Sequence, residues 1–154
     1  MPNKNLAAKL ALHTFSFALL LQALGCASGQ LKPLPKPETN KGVAEIVVVR
    51  NSNLLGSPNA FKVQVNGEDI LSIRTAQYAI LRLNAGKHTV GVKSFGGLTP
   101  TTKIDTVEFT ARDGDQLYFM ISPHFSKNNE IEEIPKSEAE QLIEKSELIE
   151  IQYQ

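Results

Sequence analysis

From Val43 onward the apolar positions recur with a period of two, and the chain reads as a succession of β-strands. Val43–Arg50 is a nearly continuous Val-rich run, the pattern of a strand buried on both faces. Phe61, Val63 and Val65 alternate with Lys62 and Gln64, and Asn66-Gly67 follows, a dipeptide whose two residues both accept positive φ and so close a hairpin. Its partner strand is predicted at Asp69–Arg74. Tyr78–Leu83 and His88–Lys93 form a second such unit around Asn84-Ala85-Gly86, and Ile104–Thr110 and Gln116–Ile121 form a third around Arg112–Asp115. Asn51–Asn59 and Ser94–Thr102 are rich in Asn, Ser, Gly, Pro and Thr, and are expected to be loops.

One helix follows the strands. Ser137 and Glu140 have capping-box spacing after Pro135, and Ala139, Leu142, Ile143 and Ser146 share a face at helical period. Beyond it Leu148, Ile149 and Ile151 can form a short final strand. The predicted fold is mainly β: a seven-stranded antiparallel sandwich over residues 43–154 with one C-terminal helix.

The first 42 residues follow no such period. Lys4 and Lys9 precede an apolar stretch from Leu10 to Leu24, with no acid before Glu38. Fifteen helical residues span roughly 22 Å, short of the ~30 Å a transmembrane helix must cross. A positive start, a short apolar centre and small residues at its end describe an export signal over residues 1–25. Residues 26–42 contain Pro33, Pro35 and Pro37 and are expected to be an extended spacer.

Ala23-Leu24-Gly25-Cys26 resembles a bacterial lipobox, in which the Cys thiol is acylated and becomes residue one of the mature chain. Ordinary signal cleavage after Gly25 or Gly29 is the alternative. The lipobox reading implies a covalent lipid on Cys26 as the only anchor, since about 0.8 kcal/mol per buried CH₂ lets two or three acyl chains hold a small domain. Ala27-Ser28, with no Asp after the Cys, implies the outer membrane, facing the periplasm or exposed at the surface.

Composition narrows the function classes. With 16 basic and 16 acidic residues the chain has no charge excess to attract nucleic acid, and loss of Lys4 and Lys9 leaves a mature charge of about −2. One Cys excludes an internal disulfide framework and a multi-Cys zinc site. His88 and His124 alone remain after processing. His88 beside a Gly turn is expected to be structural, and no second ligand is spaced around His124. Asp113/Asp115 and Glu130/Glu132/Glu133 lack the ligand spacing of a calcium loop and are expected to be solvated. No nucleophile–base motif occurs. The chain is expected to be no enzyme and to carry no metal and no cofactor besides the lipid. The function expected is that of a structural or protein-interaction module binding another envelope protein, through Leu54, Leu55, Phe95 and Leu98 in the two long loops.

Leu83-x-x-Gly86-x-His88-x-Val90-x-Val92 is similar to the last hairpin of PEGA-type surface repeats. With the Ile46–Arg50 strand, Val65-Asn66-Gly67, Leu117-Tyr118-Phe119 and the acidic terminal helix, the chain from about Ala44 to Ile149 resembles the lipoprotein family of domain of unknown function 2846. The resemblance implies a small transthyretin/PEGA-like β-sandwich on a lipid anchor, and no activity. A component of a secretion or pilus-type assembly is the more specific alternative, and a small-ligand carrier or enzyme the third.

Overall fold

The computed structural model describes residues 28–51, 60–95, 104–122 and 130–154. They form strands β1 (Gly29–Gln30), β2 (Val43–Arg50), β3 (Ala60–Val65), β4 (Glu68–Ile73), β5 (Gln77–Asn84), β6 (Gly86–Phe95), β7 (Asp105–Ala111), β8 (Gln116–Ser122) and β9 (Glu130–Glu133). Helix α1 (Lys136–Ile143) and strand β10 (Glu147–Ile149) complete the chain. The signal read at 1–25 and Cys26 lie outside the described residues.

Two five-stranded sheets result, ordered β1-β4-β3-β6-β7 and β10-β5-β2-β8-β9. The mainly-β class with a C-terminal helix is as expected, whereas the count of seven strands and the purely antiparallel pairing are not. The first sheet is antiparallel throughout. The second is mixed, because β2 runs parallel to β8 and β10 parallel to β5. The cause lies in the path: the chain leaves the second sheet after β2, returns for β5, leaves again for β6 and β7, and comes back as β8 pointing the same way as β2. A period of two reports which face is buried but not which strand lies alongside. Beyond those seven, β10 forms where Leu148 and Ile149 allowed a final strand, β1 is new, and β9 occupies the acidic run read as solvated, held there by Ile131, which is 6% exposed between flanking Glu residues.

The sheets share one core. Ala44, Ile46 and Val48 of β2, Leu81 of β5 and Phe119 of β8 meet Phe61 and Val63 of β3, Leu71 of β4 and Val92 of β6. The opposite face of β2 and β8 presents Val47, Val49, Tyr118 and Met120, covered by Ala139, Leu142 and Ile143 of α1. The helix starts two residues earlier than its capping box predicts. Pro135 is the N-cap and makes no side-chain cap bond; its carbonyl accepts the Glu138 and Ala139 amides, leaving Ser137 inside the first turn.

Arg50 ends β2 wholly buried. Its guanidinium lies 4.2 Å from the centre of the Phe61 ring and Nη1 donates to the Ile73 carbonyl at 3.2 Å, so it ties one sheet to the other. Burial pushes its pKa down to about 10, which leaves it charged at neutral pH.

Residues 28–42, expected to be a spacer, are bound to the fold as far as they are described. Gly29 and Gln30 pair with Ser72 and Leu71 of β4, and the Leu31 amide donates to Ile70 at 2.7 Å. Leu34 pairs in parallel with Tyr153, exchanging backbone bonds with Gln152 and Gln154. The Gln30 side chain acts as a third backbone: Nε2 donates to the Gln152 carbonyl at 2.8 Å and Oε1 accepts the Gln152 amide at 2.6 Å. The segment therefore closes the side of the sandwich between β4 and the C-terminal strand, with Leu34, 3% exposed, as its plug. Prolines do not prevent this, because the docked residues between them supply the donors.

On the outer face of the first sheet, Asp69 accepts Lys62 Nζ at 2.9 Å and Gln64 Nε2 at 2.5 Å. The Gln64 hydrogen bond first, and then that from Lys62, holds the Asp69 carboxyl below its ordinary value.

Two measurements check this architecture. Leu34→Ala should cost about 2–5 kcal/mol in denaturant unfolding, as a core truncation does, while Leu31→Ala, at a half-exposed position on the same segment, should stay within about 0.5 kcal/mol. Equal, negligible losses would mean an undocked spacer. Because a lowered carboxyl pKa contributes stability above the unfolded value of about 3.9 and loses it as pH falls, the wild type should lose stability below pH 4 more steeply than Asp69→Asn.

Candidate functional site

The two ends of the sandwich differ. One, the His88 end, is built from short turns: Asn66-Gly67 between β3 and β4, Ala85 between β5 and β6, and Arg112–Asp115 between β7 and β8. The other, the Ser28 end, holds the close of β2, β4, β6 and β8, the start of β3, β5, β7 and β9, and the first described residue of the chain.

At the His88 end the Asn-Gly hairpin forms as predicted, with Asn66 at φ 52° and Gly67 at φ 82°. Left-handed backbone at both positions matches the twist of the strands it joins. Asn66 then reaches to β6: its Oδ1 accepts the Thr89 amide at 3.0 Å and its Nδ2 lies 3.1 Å from His88 Nδ1. The other ring nitrogen, Nε2, lies 2.8 Å from the Asn84 carbonyl. A carbonyl only accepts, so Nε2 carries the proton, and Nδ1 accepts from the Asn66 amide. The neutral ring is satisfied at both nitrogens.

Its flat face packs on Phe109, ring centres 5.7 Å apart, and Phe109 packs on Phe119 at 5.0 Å, an aromatic column running from this end into the core. Asn84 extends the same network, donating Nδ2 to the Glu38 and Gly42 carbonyls at 2.8 and 3.2 Å.

Two clefts adjoin His88. One, about 590 Å³, lies between Lys87, Thr89, Glu108 and Asn66; the other, about 350 Å³, lies under Pro35 and Pro37 beside Glu68 and Arg82. Each gathers His88 with one carboxylate, the arrangement a ligand carrier or enzyme would need, but neither Glu108 nor Glu68 is hydrogen-bonded to the ring. Glu68 is engaged by Lys32 at 2.7 Å. A third cleft, about 390 Å³, lies beside Arg82 and Glu45, paired at 3.2 Å.

Asp113 and Asp115 serve the turn they occupy. Asp113 Oδ1 accepts the Val43 amide at 2.8 Å, and Asp115 Oδ2 accepts the Arg112 amide at 2.8 Å, across Gly114 at φ 79°. Gly42 is required opposite them: at φ 72°, a Cβ there would fall 2.7 Å from Asp113 Cβ. Among the described residues no three His, Cys, Asp or Glu side chains cluster as metal ligands do, and no helix is long and apolar enough to cross a membrane.

Of the residues predicted to contact a partner, Leu54, Leu55 and Leu98 lie outside the described residues, as do His124 and the Phe95 side chain. The backbone of Phe95 closes β6 at the Ser28 end, opposite Ala60. What the sequence reading did not assign is the set of amides doing structural work, Asn66, Asn84 and Gln30. Two of the three were visible as turn residues, whereas nothing local marks Gln30, whose partner lies 122 positions away.

No family model, curated protein or solved structure matches this chain.

His88→Ala should lower unfolding stability by about 1–3 kcal/mol, because it strips partners from two turn groups at once. Glu108→Gln, an exposed neighbour in the same cleft, should stay within about 0.5 kcal/mol. A stability change confined to Glu108 would reassign the cleft.

Proposed function

We propose that this chain is a lipid-anchored, non-catalytic module of the bacterial cell envelope, held at the outer membrane by acyl chains on Cys26 and acting through contact with another envelope protein. The observation that carries the non-catalytic part is the bonding of His88. A general base needs one ring nitrogen turned to a substrate proton. Here one nitrogen is bound to the Asn84 carbonyl in a part-buried bond and the other to the Asn66 amide in an exposed one, so both are engaged by the chain itself. The ring is a strut between two turns, and the clefts beside it are shaped by backbone economy.

The anchoring part is supported by sequence: the short apolar centre, the small residues before Cys26 and the absence of a following Asp. The fold is read as a PEGA-type sandwich related to the domain of unknown function 2846 lipoproteins, its seven predicted strands extended by β1, β9 and β10. Such a module offers a partner rigid strand edges and turn ends; β7 and β9 close their sheets at one side, and edges of this kind accept an added strand.

Growth with a tagged fatty acid tests the anchor: the wild type should take up label and Cys26→Ser should not. Crosslinking in intact cells tests the role. The labelled protein should capture a defined envelope neighbour that Cys26→Ser, released from the membrane, captures far less. Absence of any specific neighbour, or label retained by Cys26→Ser, overturns the reading.

A further inference from the structure

We infer that the fold fixes which end of the module meets the bilayer: the Ser28 end rests on the lipid surface holding the acyl chains of Cys26, and the His88 end points away from it. This rests on Cys26 bearing the lipid.

The first support is chain length. If residues 27–42 were a free polyproline spacer, its 16 residues at about 3.1 Å each would lift the domain by up to roughly 50 Å and leave its orientation open. The described chain leaves no such slack. Ser28 is already fixed, its Oγ accepting Gln77 Nε2 at 3.1 Å at the start of β5, and Gly29 pairs with Ser72 at the close of β4. From Cys26 to Ser28 there are two peptide steps, at most about 7 Å of extended chain. Strand β6 alone, ten residues long, extends roughly 30 Å towards the other end. A lipid within 7 Å of one end therefore holds that end at the membrane.

The second support is independent of Cys26. Among the described residues the large apolar side chains left exposed are Leu31, Ile104 and Leu148, at 50%, 37% and 46%. Leu148 pairs opposite Tyr78, one residue into β5 from its start. Ile104 immediately precedes β7, and Leu31 stands three residues above Ser28. Leu148 and Ile104 thus stand in the Ser28 half, on opposite sides of the sandwich, while Leu31, opposite Ile70, stands at mid-height of β4. The His88 turns present Lys87, Arg112 and Asp113 instead. Charge near the Ser28 end is mixed, with Lys145 beside Glu144 and Glu147, so the contact relies on the short leash and on apolar groups, not on attraction to anionic headgroups.

The test uses the lipidated, full-length protein carrying single exposed substitutions, Lys145→Cys or Glu147→Cys at one end and Lys87→Cys or Arg112→Cys at the other. Each is labelled with an environment-sensitive fluorophore and reconstituted in phosphatidylethanolamine–phosphatidylglycerol vesicles containing a headgroup spin-labelled lipid. Quenching should be several-fold stronger at Lys145→Cys and Glu147→Cys than at Lys87→Cys and Arg112→Cys. A flexible Gly-Ser insert of about 12 residues between Ala27 and Ser28, with a root-mean-square span near 20 Å, should abolish the difference while the protein still floats with the vesicles. Equal quenching at both ends of the uninserted protein, or stronger quenching at Lys87→Cys, overturns the orientation alone. Failure to float, or an intact mass without acyl chains, overturns the anchor, and the orientation with it.

Discussion

The parallel ladder between β2 and β8 is the constraint on which the rest of the molecule depends. The ladder runs from Glu45 opposite Gln116 to Arg50 opposite Ile121, and from Val47 opposite Tyr118 onward both strands are buried on two faces. Ile46, Val48, Phe119 and Ile121 face the first sheet, while Val47, Val49, Tyr118 and Met120 face the helix. Parallel pairs in water need cover on both sides, and this pair has the first sheet on one face and α1 on the other. Neither cover is separable: a ladder stripped of α1 would expose a contiguous apolar strip, and one stripped of the first sheet would lose the main core. The helix is short, eight residues, and stable only because that strip requires it.

A sandwich also has open sides, and here one of them is sealed by the two ends of the domain. The segment after Ser28 bonds to β4 on one sheet and to Gln152–Gln154, beyond β10, on the other. Tyr153 completes the seal: its hydroxyl accepts the Arg82 amide at 2.7 Å, and burial raises its pKa above the ordinary value. The closure couples three regions far apart in sequence, so the described residues before the first long strand are part of the folded unit. For the proposed lipid on Cys26, the same closure converts a question of reach into one of orientation.

Much of this was legible in the amino-acid order. The Val-rich run from Val43 announced a two-sided strand, Asn66-Gly67 announced its hairpin, and the stripe of Ala139, Leu142 and Ile143 announced a helix with one buried face. What escaped was whatever depends on a distant partner. Alternation cannot distinguish parallel from antiparallel neighbours, and so the mixed sheet was invisible. Leu34 between two prolines reads as spacer until its counterpart at Tyr153 is known. Arg50 reads as the polar end of a strand until Phe61 and Ile73 close over it. The glycine turn beside His88 pointed to a bond with turn backbone, which the ring makes at Asn84, but the identity of its two partners was not legible.

The same distinction separates the two ends of the module in their physical character. At the His88 end every short turn is held by a side-chain amide or carboxylate bonded to backbone: Asn66 to Thr89, Asn84 to Gly42, Asp113 to Val43, Asp115 to Arg112. Such groups are satisfied where they stand, and reorganising them to grip a small molecule would break bonds that close the fold. A surface of this kind is suited to recognition by shape, in which a partner meets a preformed relief and little ordering free energy is lost on docking. The non-catalytic reading and the proposed orientation thus have a common root, since the polar groups that close one end are consumed by the backbone, while the proposed anchor and the exposed Leu148 and Ile104 lie towards the other.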